Sequence, residues 1–251
     1  MKLFIPLARN PTSMDHATSP LDWDCLLHEV IHLYRDADPA HDFSHILRVC
    51  HNAEVIGAKE GADMEILLMA ALLHDAGAGS KSLNSDQAWP AAVHLARDFL
   101  TRKGWKEEAQ EQVLYAVKVH RYSMGILPET LEARILQDAD RLDALGAVGI
   151  ARVFLTGGDL KRRLYHPDDP FCKHRGPDDR EWNLDHFYQK LLLLKDGMHT
   201  TTAREMAGRR TELMRRYLAE LQREIEGWDW SEEEMVPDGG ENDGTIGPAR
   251  R

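Results

Sequence analysis

The run Ile66-Leu67-Leu68-Met69-Ala70-Ala71-Leu72-Leu73 is apolar almost all round a helix and leads straight into His74-Asp75. A helix with no polar face has to be enclosed by other elements. This segment therefore predicts a central, buried helix, with Asp63 as a candidate cap at its start. The pair at its end constrains function. A histidine and a carboxylate in such a place must be hydrogen-bonded or coordinated, because an unpaired buried carboxylate is costly.

The rest of the chain also has helical spacing. Residues 21–34 are apolar at helical steps, followed by a turn at Asp36-Ala37-Asp38-Pro39. Residues 42–58 carry Ile46, Val49, Cys50, Ala53 and Ile56 at steps of three and four, one buried face, with Gly57 and Gly61 near the stop. A polar loop is expected at 79–86, then helices at 86–103 and 106–120. A further helix, opened by Pro128, is expected to run to Phe154. Residues 157–183 are rich in Gly, Pro, Asp, Arg and His and lack periodicity, which predicts a long functional or surface loop. Helices at 184–195 and 201–226 close the domain. No alternating strand pattern is evident, so the expected fold is all-α: an N-terminal extension at 1–20, one helical bundle at 21–226 and a flexible tail at 227–251, acidic and then Gly- and Pro-rich.

Composition narrows the partners. The 251 residues are 43% hydrophobic and 29% charged, as in a soluble globular chain, and no apolar run reaches membrane-spanning length. The start, broken at Pro6, is too short for a secretory leader. A net charge of −11 argues against duplex nucleic acid, but not against a small anion held by a metal and a few arginines. The three cysteines, Cys25, Cys50 and Cys172, are widely spaced, so neither a disulfide scaffold nor a thiolate zinc site is expected, and a reducing cytoplasm is.

Four side chains in or beside these helices form a candidate metal set: His45, His74, Asp75 and Asp140. Two imidazoles and two carboxylates suit a divalent ion with open positions. On the residues alone an alternative stays open, in which Asp75 pairs with an arginine and His74 is a satisfied core histidine. In Asp138-Ala139-Asp140-Arg141-Leu142-Asp143, Asp140 and Asp143 share a helical face and Asp138 does not. An N-terminal turn favoured by the helix dipole accounts for one or two of these acids more easily than for three.

Three blocks, taken together, resemble the HD-domain phosphohydrolase superfamily: His41-Asp42-Phe43-Ser44-His45-Ile46-Leu47-Arg48-Val49, Ala71-Leu72-Leu73-His74-Asp75-Ala76-Gly77, and Asp138-Ala139-Asp140-Arg141-Leu142-Asp143-Ala144-Leu145-Gly146-Ala147. The third block, with residues 185–192 and 198–209, is similar to compact bacterial HD hydrolases, some of which act on nucleotides. The resemblance implies one divalent ion on His45, His74, Asp75 and Asp140, with Mn²⁺ or Mg²⁺ favoured over Fe, Ni, Co or Zn. Asp75 would also orient water. Many members carry a second metal through extra histidines. His120 occupies a plausible place for one of these, but residues 86–93 hold no histidine and only His94 follows. One metal is therefore expected, with His120 contacting phosphate or donating a proton, beside the reading of His120 as a structural residue.

The implied reaction is hydrolysis of a phosphate compound, a nucleoside triphosphate with pyrophosphate release being favoured. The alternatives are a phosphomonoesterase or phosphodiesterase of the same superfamily, a non-catalytic regulatory protein that keeps the metal, or a di-iron oxygenase, which the incomplete second ligand set disfavours. Arg48, Lys118, Arg121, Arg141 and Lys190 are the candidate substrate contacts, with Arg204 and Arg209 read as solvated surface. His41 and Asp42 are candidates to orient His45, unless Asp42 only caps its helix. Arg162, Arg163 and His166 fall in the long segment, which either covers the pocket or pairs its basic residues with surface carboxylates.

Overall fold

A computed structural model describes residues 23–35, 42–77, 85–121 and 125–227. The expected extension at 1–20, His41, most of the loop at 79–86 and the tail beyond residue 227 lie outside them. Among the described residues there are nine α-helices and no strand, in agreement with the all-α expectation. They are α1 (Trp23–Val30), α2 (Phe43–Glu60), α3 (Met64–Leu73), α4 (Ser85–Arg102), α5 (Glu107–Val119), α6 (Leu131–Asp143), α7 (Gly146–Asp159), α8 (Asp185–Gln189) and α9 (Thr201–Glu226). Short 3₁₀ turns follow α1 at Ile31–Tyr34 and α8 at Leu191–Gly197. One compact unit reaches Met214, and a second begins at Arg215. None of the helices described is long and apolar enough to cross a membrane.

The core is built around α3. Residues Ile66 to Leu73 are buried without exception, and α2, α5 and α6 pack on them. Each large side chain there contributes roughly 1.5–3 kcal/mol by leaving water. Asp63 starts α3 by accepting from the Glu65 and Ile66 amides. Asp42 does the same for α2 through the amides of Ser44 and His45, and Gly61 ends α2 in the left-handed conformation. Asp42 therefore serves as a cap. The buried face of α2 is the one read from spacing: Ile46, Val49, Cys50, Ala53 and Ile56.

Two expected elements differ from the structure. The single helix expected from Pro128 to Phe154 is two helices. Pro128 lies outside them, α6 begins after the Thr130 cap, and the chain turns at Ala144-Leu145-Gly146, where Gly146 adopts φ +73°. The helix expected at 184–195 is one short α-helical stretch followed by a 3₁₀ turn. In that turn Leu191 and Leu194 are buried and Leu193 is exposed, the three-residue repeat of 3₁₀ geometry.

Residues between α7 and α8 form an ordered excursion rather than a structureless loop. Arg163 and Trp182 form an isolated bridge, with the Arg163 amide donating to Glu181 O and the Asn183 amide to Arg163 O, both at 2.9 Å. Phe171 and Trp182 are buried. Arg175 reaches Asp185 with two guanidinium nitrogens, and Asp169 accepts the amides of Lys173 and His174.

Candidate metal centre

His45 comes from the first turn of α2, His74 and Asp75 from the end of α3, His120 from the end of α5, and Asp140 from the last turn of α6. These helices pack on one another around α3, so their ends converge. Ligand atoms of His45, His74 and Asp140 lie within 4.8 Å of one another. Asp75 joins them, its Oδ2 3.9 Å from His45 Nε2 and 3.7 Å from His74 Nε2. Its Oδ1 faces the other way, 3.4 Å from His120 Nε2 and 3.6 Å from Arg121 Nη2. The three imidazoles stand edge to face, with centroids 5.4 Å apart from His45 to His74 and 5.1 Å from His74 to His120.

Each ring is held by its Nδ1. His74 Nδ1 donates to Ala71 O at 2.8 Å, His120 Nδ1 to Val117 O at 2.6 Å, and His45 Nδ1 to the Asp143 carboxylate at 2.7 Å. A donated Nδ1–H leaves the lone pair on Nε2, the tautomer a metal-binding histidine needs. All three Nε2 atoms turn toward the carboxylates. His74 Nε2 is fully buried without a hydrogen-bond partner among the described residues. A buried lone pair left unsatisfied is costly, and a cation beside Asp75 and Asp140 satisfies it. The donor set fits a divalent ion.

Protonation separates the histidines. Burial holds His74 down to a pKa of about 4, so it remains a neutral donor at ordinary pH. Burial also works against the charged form of His120, but the adjacent Asp75 outweighs it and the pKa lies above the usual histidine value. Asp75 is itself buried, and the surrounding imidazoles hold its carboxyl well below the usual range.

Asp143 is the residue behind His45. Its Oδ1 accepts from Arg48 Nε at 2.6 Å, and its Oδ2 from His45 Nδ1, Arg48 Nη2 at 3.0 Å and Arg152 Nη1 at 2.8 Å. The aspartates of this run sit at the C-terminal end of α6, where the helix dipole disfavours anions. The N-terminal-turn reading therefore fails, and the cations around Asp143 account for its place. Asp138 points elsewhere, to Arg141, to the amides of His199 and Thr200, and to the Thr200 hydroxyl.

The expected substrate contacts separate. Arg121 stays at the centre, beside Asp75. Arg48 is bound to Asp143 and Ser44 and so acts behind His45. Arg141 has its guanidinium buried against Gln137 O, Gly197 O and Asp138, where it braces the approach to α9. Lys118 is exposed on α5. Lys190 lines a pocket of about 250 Å³ with Arg152, Arg162 and His186. His94 is exposed on α4 beside Asp98. Sequence reasoning missed Arg152, although a signal existed: it is the only charged residue between Leu145 and Thr156 in an otherwise apolar helix.

The HD domain matches residues 42–145, which contain all four candidate ligands and His120. YpgQ of Bacillus subtilis, described as uncharacterized, is 36% identical over 202 residues, 77% of this chain and 89% of YpgQ. The crystal structure of YpgQ in complex with ADP superposes with a TM-score of 0.64 at 35% identity, covering 82% of this chain and 96% of that one. An HD-superfamily hydrolase from Bacillus thuringiensis superposes with a TM-score of 0.64 at 34% identity, covering 81% and 96%. By its sequence, its fold and the matched residues, the chain belongs to the HD-domain family of metal-dependent phosphohydrolases.

Proposed function

We propose that this protein hydrolyses nucleotides with a divalent ion, Mn²⁺ or Mg²⁺, and that its preferred reaction converts a nucleoside triphosphate to the monophosphate and pyrophosphate. The observation that carries the reading is the convergence of the His45, His74 and His120 Nε2 atoms on Asp75 and Asp140, with every Nδ1 anchored outward. ADP bound to a relative of this fold supports a nucleotide ligand.

His45, His74, Asp75 and Asp140 would hold the ion. When bound, it polarises a phosphoryl oxygen and lowers the pKa of water. The protein supplies the rest. Asp75 turns one oxygen to the ligand cluster and the other to His120 and Arg121, so it is placed to orient water and to keep His120 protonated. A protonated His120 can donate to the leaving oxygen, work that needs a pKa near or above the working pH. Arg121 adds positive charge where a phosphate would dock.

Asp75→Ala is the direct test. Hydrolysis of nucleoside triphosphates with Mn²⁺ should fall at least about a hundredfold, with an unchanged helical circular-dichroism spectrum. Product analysis for phosphate against pyrophosphate fixes the bond cleaved. Full activity in Asp75→Ala, or in chelator-treated wild type, would falsify the mechanism.

A further inference from the structure

The pocket beside α7 is unusual for a chain with a net charge of −11. It is lined by Arg152 and Thr156 of α7, by Arg162, and by His186 and Lys190 of α8 and its end. No carboxylate is among the lining residues. Arg152 is paired with Asp143 and His186 with Asp179, but Arg162 and Lys190 make no side-chain hydrogen bond or ion pair among the described residues, so these two carry the uncompensated charge. Like charges brought together without counter-charges cost free energy, and an anion relieves that cost. Burial, with the nearby charges of Lys190 and Arg162, also holds His186 below the usual histidine pKa, against the pull of Asp179. The volume of about 250 Å³ is below that of drug-sized sites and suits a compact oxyanion.

We propose that this pocket is a phosphate subsite that takes a pyrophosphate-like group on Arg152, Arg162 and Lys190. It is joined to the metal centre by one residue: the Asp143 carboxylate accepts from Arg152 on the pocket side and from His45 on the other. Two sources share this chemistry, namely the phosphate tail of the hydrolysed nucleotide and a separate pyrophosphate or polyphosphate. The first source rests on the hydrolytic reading above. Binding itself does not, because none of the three cations is a metal ligand.

The test is calorimetric titration of inorganic pyrophosphate into chelator-treated full-length protein. Wild type should bind, and Arg162→Ala with Lys190→Ala should weaken binding at least tenfold. Lys59→Ala with Lys106→Ala, an equal loss of charge on exposed positions elsewhere, should leave it unchanged. Kinetics of the same proteins then separate the sources. A tail subsite raises KM for the triphosphate in the pocket variant, with pyrophosphate competing. A separate ligand leaves KM unchanged, with non-competitive inhibition. Absence of pyrophosphate binding to wild type, equal binding by the pocket variant, or equal weakening in the control variant overturns the subsite. Binding without any hydrolysis by wild type keeps the subsite and removes the hydrolytic reading.

Discussion

At the residue scale, much of the centre depends on a side chain that is not among the candidate ligands. Asp143 is 1% exposed and accepts hydrogen bonds from His45, Arg48 and Arg152. It fixes the His45 ring so that Nε2 points inward. Asp143→Ala leaves two guanidinium groups and an imidazole without their shared partner. It should destabilise the fold by about 3–5 kcal/mol, as breaking a buried pair does. Asp143→Asn keeps the shape and a hydrogen-bond acceptor but loses the charge, and should lower metal affinity by about 10–100-fold with a smaller loss of stability. Urea unfolding and a metal titration on both variants check this. Metal affinity equal to wild type in Asp143→Asn would show that His45 needs no carboxylate behind it. Half of this device was legible, since Asp140 and Asp143 fall on one helical face. The other half, Arg152, was not, because its partner is nine residues away across the Gly146 turn and helical spacing says nothing across a break.

At the element scale, reading succeeded where one face or the whole of a helix is buried by neighbours. The α2 stripe and the all-round apolar α3 were legible because burial imposes a pattern. The break between α6 and α7 was not, because Gly146 interrupts an apolar stretch without a polar turn around it. Two adjacent glycines near the end of α7 show how packing divides equal residues. A Cβ on Gly157 would lie 1.7 Å from Asn183 Oδ1, whereas one on Gly158 meets nothing within 4 Å. Gly157→Ala must therefore displace the buried Asn183 side chain, next to the Arg163–Trp182 bridge, or shift α7, and should cost about 1–3 kcal/mol. Gly158→Ala should be neutral or stabilise by up to about 1 kcal/mol through helix propensity. Thermal unfolding of the pair tests the contact, and an equal response from both would remove it.

At the scale of the whole molecule, two linkages should govern stability. The first is metal. Ligand atoms drawn from three helices, α2, α3 and α6, can be satisfied together only in the folded state, so an ion stabilises by mass action, about 2.7 kcal/mol at a hundred times Kd. For a chain of this length that is a rise in Tm of roughly 5–10 °C. Mn²⁺ should give this rise in wild type and not in His74→Ala, and a shift retained in His74→Ala would place the ion elsewhere. The second linkage is to protons, through carboxylates remote from the centre. Glu60 accepts from the Thr202 amide at the start of α9, and that bond lowers its pKa. Burial pushes Asp185 up, but Arg175 and the Asp178 amide outweigh it and hold it below the usual value. Both groups bind a proton more weakly when folded than when unfolded. Their stabilisation is therefore complete above the ordinary carboxylate range, near pH 4, and is lost as pH falls through their folded values. In metal-free protein these carboxylates should add a steep fall of the urea midpoint below about pH 4 to the decline that starts below about pH 6.5, where His74, held down to about 4 in the folded state, takes up a proton only on unfolding. Asp185→Asn should start from a lower midpoint at pH 7 and fall less steeply. If its acid limb has the wild-type slope, then the Arg175–Asp185 pair does not anchor the segment between α7 and α8, and other contacts hold that segment in place.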